Sequence, residues 1–354
     1  MSNYVSVRKV FGISWQRMKD ILFHPFSLGK WFVLGFCAWV ISLGGQSGGT
    51  GTNFNQSFRH TSRHGGGDAI SSFWTHLDQT LNGSNGTFTS RAAETFNISP
   101  SVIGIIIVVV IAGILLVLAL TLLFTWLRFR FEFIFLDNLV FNQTNIVAPW
   151  KQFKPYANSV WGYYWLIVVA VTIINLFLSI PLLLGGWQWL KRCAAAHDLI
   201  MPTGGEISSL IFLGLIILLL NLAFWIWHFF MVNFQIPLMY RKQMLFKESA
   251  VALWQIVKDN LGTFFRFWLL CILIDIVFIL VLTIGGVLTC CILFLLLIIP
   301  VINTTILLPY LAFKRYFGVD LLAALAPELS PYPVPEVVPE ITPEEGTNEQ
   351  AGNA

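Results

Sequence analysis

One carboxylate stands deep inside an apolar stretch: between Arg266 and Lys314 the chain carries no Asp, Glu, Lys or Arg except Asp275. An ionisable side chain at membrane depth is costly, which makes proton or solute coupling the first chemistry to consider. The plainer alternative is a protonated or hydrogen-bonded aspartate that helps helices pack. The sequence places no lysine, arginine or histidine at matching depth. Asn175, Asn221 and Asn303, in other apolar stretches, are its candidate partners, or else hold helices together by hydrogen bonds of their own.

A second group is charged on both signs. Arg128, Arg130, Glu132 and Asp137 follow directly on an apolar stretch, and with Lys19, Lys154 and Lys258 they are candidates to meet an anionic lipid headgroup. Ordinary topology signals with neutralising pairs would give the same residues. His60, His64 and His76 lie near Asp68 and Asp78, but Gly65-Gly66-Gly67 breaks the helix that would be needed to bring the four-residue histidine spacing onto a metal. There is no serine-centred nucleophile elbow, paired-histidine metal helix, phosphate loop or dinucleotide fingerprint. An acid–base pair would have to come from Glu132, Asp137 or His228, and their spacing singles out none of them. Neither a metal nor a cofactor is expected. Cys37, Cys271, Cys290 and Cys291 fall in apolar stretches, and Cys193 outside them, with no disulfide framework.

The elements that must position these residues recur. Trp15-Gln16-Arg17-Met18-Lys19-Asp20 returns as Trp254-Gln255-Ile256-Val257-Lys258-Asp259, and more loosely as Trp150-Lys151-Gln152-Phe153-Lys154. Downstream of each lies an aromatic, apolar run closed by a glycine pair: Gly44-Gly45, Gly185-Gly186 and Gly285-Gly286. Val7, Phe11, Trp15, Met18 and Leu22 have helical spacing, matched by Phe246, Ala250, Trp254, Val257 and Leu261. Each set predicts one apolar stripe on a basic amphipathic helix lying in the membrane interface, with Trp15, Trp150 and Trp254 as anchors at headgroup depth. Pro155 is expected to end or kink the middle copy early. Three units follow, at about 4–130, 139–243 and 244–315.

Composition agrees. Hydrophobic residues are 56% of the 354 and charged residues 11%, against roughly 25% charged in soluble domains. Glu94 to Arg128, Lys154 to Lys191 and Glu206 to Arg241 enclose uncharged stretches long enough to cross a bilayer. Arg266 to Lys314 reads as a hairpin of two spans turned at Gly285-Gly286. Leu28 to Leu43 is shorter, with Lys30 set to snorkel toward the headgroups. Pro181, Pro237, Pro300 and Pro309 are expected to kink their spans. The count is six. Most of the 21 Lys and Arg residues fall on the side of the N-terminus, leaving Arg59, Arg63, Arg91, Lys191 and Arg192 opposite, so both termini are expected in the cytoplasm.

Residues 46–100 form a Gly-, Ser-, Thr- and Asn-rich outer loop, and 318–354 a disordered tail, Pro- and Glu-rich from Pro327 onward. The run Trp15 to Phe32, with Ile21-Leu22-Phe23-His24-Pro25-Phe26, and the later Arg130-Phe131-Glu132-Phe133-Ile134-Phe135-Leu136-Asp137, resembles uncharacterised bacterial six-span membrane proteins. These are similar in turn to the membrane domain attached to some glycerophosphoryl diester phosphodiesterases. The resemblance implies an inner-membrane location and a lipid-related role; the catalytic barrel of those enzymes has no counterpart here. The expectation is an all-α, six-span protein in three repeated units, each preceded by a cytoplasmic interfacial helix. It is expected to engage anionic lipids, with a protein partner possible through the acidic tail and none among nucleic acids. A transporter or channel using Asp275 is the alternative.

Overall fold

The computed structural model describes residues 6–44, 100–196, 201–289 and 292–332, and all regular structure among them is helical. The outer-loop histidines and aspartates, Cys290, Cys291 and the tail beyond Tyr332 lie outside these residues. In chain order the helices are α1 (Val7–Phe23), α2 (Leu28–Leu43), α3 (Pro100–Val140), α4 (Val147–Gln152), α5 (Lys154–Ala196) and α6 (Gly204–Phe230). A π-helical turn, Met231–Gln235, leads into α7 (Ile236–Lys242); then come α8 (Phe246–Asp259), α9 (Leu261–Leu288), α10 (Ile292–Ile298), α11 (Ile302–Ile306) and α12 (Leu308–Leu325).

Among the described residues four stretches are long and apolar enough to cross a membrane: Gly104–Val140, Lys154–Cys193, Gly204–Lys242 and Leu261–Leu288. Their apolar faces are largely open. Isoleucines, valines and leucines along α3, α5, α6 and α9 are exposed in a continuous band, as expected where lipid and not protein is the neighbour. The core is instead concentrated toward one end, where α1, the last turns of α3, the π turn, α7 and α12 pack together.

α1 and α8 bury their faces in one register. α1 turns Val7, Val10, Ser14, Met18 and Leu22 inward, and α8 turns Phe246, Ser249, Leu253 and Val257 inward. With Trp15 laid on Trp254, every buried residue of α8 falls on a buried residue of α1. Laying Trp150 on Trp15 likewise puts buried Pro149, Phe153 and Ala157 on Ser14, Met18 and Leu22. Val7, Met18, Leu22, Phe246 and Val257 of the expected stripes are buried, but mid-helix the inward positions are Val10, Ser14, Ser249 and Leu253 in place of Phe11, Trp15, Ala250 and Trp254. Trp15 and Trp254 stand 47% and 56% exposed, and Leu261 is exposed too. Small or aliphatic side chains fit the close helix contact, while the tryptophans keep the wet–apolar boundary they favour.

The glycine pairs do three different things. Gly44 caps α2 where a Cβ would collide with the Phe124 carbonyl of α3. Gly185 and Gly186 sit within α5, which runs on through them and through Pro181 to Ala196. Gly286 lies within α9, where the missing Cβ admits the Phe294 ring of α10. The expected tight turn at Gly285-Gly286 is thus corrected: the helix ends at Leu288. Pro300 separates α10 from α11, and Pro309 falls in the first turn of α12. The middle copy does end early: its helix α4 stops at Gln152, a turn at Phe153 follows, and Pro155 falls in the first turn of α5, where proline is tolerated. The tail boundary moves as well. α12 continues through residue 318 to Leu325 with Val319, Leu321 and Leu322 buried, because Leu322-Ala323-Ala324-Leu325 is strong helix-forming sequence with a core to pack on.

Candidate functional site: a charged convergence at one end of the bundle

Three helix segments of like design converge where the core is densest. The end of α3 carries Glu132 and, five residues on, Asp137; the π turn and α7 carry Gln235 and Tyr240 at the same spacing; α12 carries Arg315 and Asp320. All six are buried. At the centre Arg315 donates from Nη2 to Glu132 Oε2 at 2.5 Å and from Nη1 to the Val232 carbonyl at 2.7 Å. A π turn frees carbonyls from the regular ladder, and here one of them receives the guanidinium. α12 can come this close because Gly318 meets the π turn: a Cβ there would lie 2.8 Å from the Asn233 carbonyl oxygen.

Arg128 joins the same network. Its Nη2 lies 3.2 Å from His228 Nε2 and its Nε 4.0 Å from Glu132 Oε1. For Nε2 to accept from the guanidinium, the His228 proton must sit on Nδ1. Arg130 points elsewhere, donating to the Trp150 carbonyl at 2.9 Å with its guanidinium 4.9 Å from the ring centres of both Trp126 and Trp150. Tyr240 donates to Asp137 at 2.7 Å, and Gln235 donates to the Phe246 carbonyl at 3.0 Å and Ser249 at 3.2 Å.

α1 is fastened by the last member of the set. Ser14 donates to Asp320 at 2.7 Å, Arg17 lies 3.4 Å from the other carboxylate oxygen, and the Tyr332 ring covers the Arg17 guanidinium at 3.7 Å. Burial pushes Asp320 above the usual carboxylate range, and Arg17 and the Ser14 hydroxyl pull it back only in part.

Asp275 has a partner that the sequence did not suggest. Lys314 Nζ lies 2.9 Å from its Oδ1, and the Tyr310 hydroxyl donates to it at 2.6 Å. α9 ends at Leu288 and α10 at Ile298, before Pro300, and a lysine at the far end of the stretch comes level with an aspartate in its middle. Asn175 and Asn221 pair with each other at 3.1 Å, joining α5 to α6, and Asn303 donates to the Leu297 carbonyl. Lys30, expected to snorkel, is buried and donates instead to the Ile21 carbonyl and Asn142, locking the α1–α2 corner. Two of its three donors are thereby occupied inside the protein.

The five basic candidates therefore divide. Arg128 and Arg130 are inside, Lys154 and Lys258 are exposed, and Lys19 is half-buried on α1. Lys258 rests over the ring of Trp254, 5.2 Å from its centre. Among the described residues no three His, Cys, Asp or Glu side chains are grouped to hold a metal ion. The arrangement suits holding helices together at depth while offering tryptophan and lysine outside.

Residues 10–327 match the model of a family described as a family of unknown function, DUF7544. No curated protein and no solved structure matches the chain.

Proposed function

The chain belongs to the DUF7544 family, and we propose that it serves there as a non-enzymatic module of a bacterial inner membrane that engages anionic lipid through its outward Trp–Lys faces. The observation that carries this reading is a division of labour. The central charges Glu132, Arg315, Asp275 and Lys314 are taken up by one another, while Lys154, Lys258, Trp15 and Trp254 face out. Paired buried charges of this kind hold geometry.

In this reading α2 and the segment from α10 to the first turns of α12, as far as Lys314, complete six spans with the four long helices. The 16 residues of α2 extend about 24 Å, enough when flanking aromatics such as Trp31 and Phe32 thin or tilt the boundary. Both termini are then cytoplasmic, α1, α4 with the start of α5, and α8 lie at the inner interface, and each opens one repeat unit. The shared buried register of these three copies and the matched polar pairs on α3, α7 and α12 support the threefold plan.

Native mass spectrometry of the full-length protein with phosphatidylglycerol or phosphatidylcholine tests the proposal. A basic residue near an anionic surface contributes about 1 kcal/mol. Replacing Lys19, Lys154 and Lys258 together by Gln should therefore reduce the preference for phosphatidylglycerol at least several-fold. An unchanged preference in the triple variant refutes it.

A second reading, solute transport, rests on one observation: the Asp275–Lys314 pair lies in the apolar layer, with the Asp275 side chain 33% exposed and Lys314 3% exposed. Asp275→Asn that folds normally but loses solute uptake in vesicles would move transport to first place.

A further inference from the structure

Between the end of α1 and the start of α12 lies a groove of about 420 Å³, lined by Trp15, Met18, Lys19, Phe23, His24 and Pro309. Its walls are carbon. The depth of the groove follows from how α1 crosses α12. On one flank of α1, Trp15 packs edge-on to Phe313 at 5.6 Å; on the other, Arg17 reaches Asp320 at 3.4 Å. Seven residues of helix separate those contacts, about 10 Å along the axis. The Trp15 flank accordingly faces the apolar beginning of α12 and the Arg17 flank its charged end.

The deeper flank is also the basic one. Arg8, Trp15 and Lys19 succeed one another at seven and four residues and so share a side of the helix. Asp20, the one acid of α1, is on the outer face and bonded by Gln16 at 3.1 Å. Arg17 is engaged elsewhere. An amphiphile lying in this groove would meet hydrocarbon walls below and the Lys19 side chain at the rim.

We propose that this groove seats a single phospholipid with a net-negative headgroup. One acyl chain lies against Trp15, Phe23 and Pro309, and the phosphate is held at the rim by Lys19. The proposal rests on the lipid-engaging reading above and makes it specific to one place, since α8, with its equivalent Trp254 and Lys258, folds the lysine onto its own tryptophan. Charge complementarity selects the occupant: a zwitterionic lipid fills the walls equally well but gains nothing net from Lys19.

The test uses the full-length protein in nanodiscs containing phosphatidylglycerol or phosphatidylcholine, each with a diazirine on one acyl chain, and maps the crosslinks by peptide. Phosphatidylglycerol label should concentrate on the peptide spanning Trp15 to His24. Lys19→Gln should lower that label about fivefold, to the phosphatidylcholine level, while Lys191→Gln, an exposed lysine over a tryptophan near the end of α5, leaves it unchanged. Label spread evenly over α3, α5 and α6, or an equal loss with Lys191→Gln, overturns the groove site. If the groove is unlabelled but the preference for phosphatidylglycerol persists in native mass spectrometry, the groove fails and the broader reading stands; if neither is seen, both fail.

Discussion

α1 and α8 share a sequence phrase and a buried register but rest on different footings. Both bury the same register and both raise a tryptophan on the outside. The inward serine of α1, Ser14, rests on the carboxylate of Asp320, whereas that of α8, Ser249, meets the neutral amide of Gln235. The attachment of α1 thus depends on a titratable, buried charge and that of α8 does not. Sequence likeness between the two helices, strong in the Trp-Gln-x-x-Lys-Asp phrase, carries no trace of this difference. It is written in the partner helices.

The largest effect should come from breaking what both footings share. Arg315 and Glu132 are 6% and 4% exposed at the side chain, and removing one of a buried pair leaves the other charge stranded. Arg315→Leu is expected to destabilise by about 3–5 kcal/mol, read as a fall in thermal midpoint of the detergent-solubilised protein. Adding Glu132→Leu should restore part of it, because the carboxylate left behind is gone, and not all of it, because Arg128 then loses its carboxylate neighbour. A double variant no better than the single would show that the Val232 carbonyl contact of Arg315, and not the charge pair, holds α12.

Next comes the comparison itself. Ser14→Val withdraws a hydrogen bond from a buried carboxylate, a loss of about 1–3 kcal/mol, while Ser249→Val removes a neutral bond of about 1 kcal/mol. Limited proteolysis should therefore release α1 in the first variant before it releases α8 in the second. Equal sensitivity would mean that the two footings are energetically alike.

Much of this frame was legible beforehand. Helical content, the membrane-length apolar stretches and the Trp–Lys recurrence follow from periodicity and charge spacing, which are local properties. The facing partners were not. Lys314 stands 39 residues from Asp275, and no local pattern shows the two level. Periodicity finds Val7, Met18 and Leu22 on α1 but puts Trp15 in place of Ser14, because serine counts as polar in a hydrophobic pattern, although a serine with a buried acceptor packs as well as an alanine. Lys30 read as a snorkelling lysine because nothing local reveals the carbonyl of Ile21 and the amide of Asn142 waiting for it. Arg128 and Arg130 look like surface cations in a list of charges; their burial depends on three helices meeting.

The different footings also predict different responses to pH. Asp320 is raised above its ordinary value of 3.8, with burial the main cause. The folded protein therefore holds this proton more tightly than the unfolded chain does. The contribution to stability is fully present below the ordinary value and is lost as pH rises through the raised one. Thermal midpoints should fall across that window in the wild type. Asp320→Asn, whose side-chain oxygen can still accept from Ser14, should flatten the slope, and Gln235→Leu should leave it intact. A slope that survives Asp320→Asn assigns it to another group.

The smallest effect tests whether the exposed tryptophans differ. Trp15 keeps an edge contact with Phe313, and Trp254 carries Lys258 on its face. An aromatic pair adds about 0.5–1.5 kcal/mol beyond its buried area, and an exposed cation–π contact about 0.5–1. Trp15→Ala should thus lower the thermal midpoint slightly more than Trp254→Ala. Salt should separate them further: raising it screens the Lys258–Trp254 contact and so reduces the penalty of Trp254→Ala, while that of Trp15→Ala, which removes only packing against Phe313, stays constant. If both penalties shrink alike in salt, Trp15 also holds a cation, and Lys19 is the one within reach along its flank.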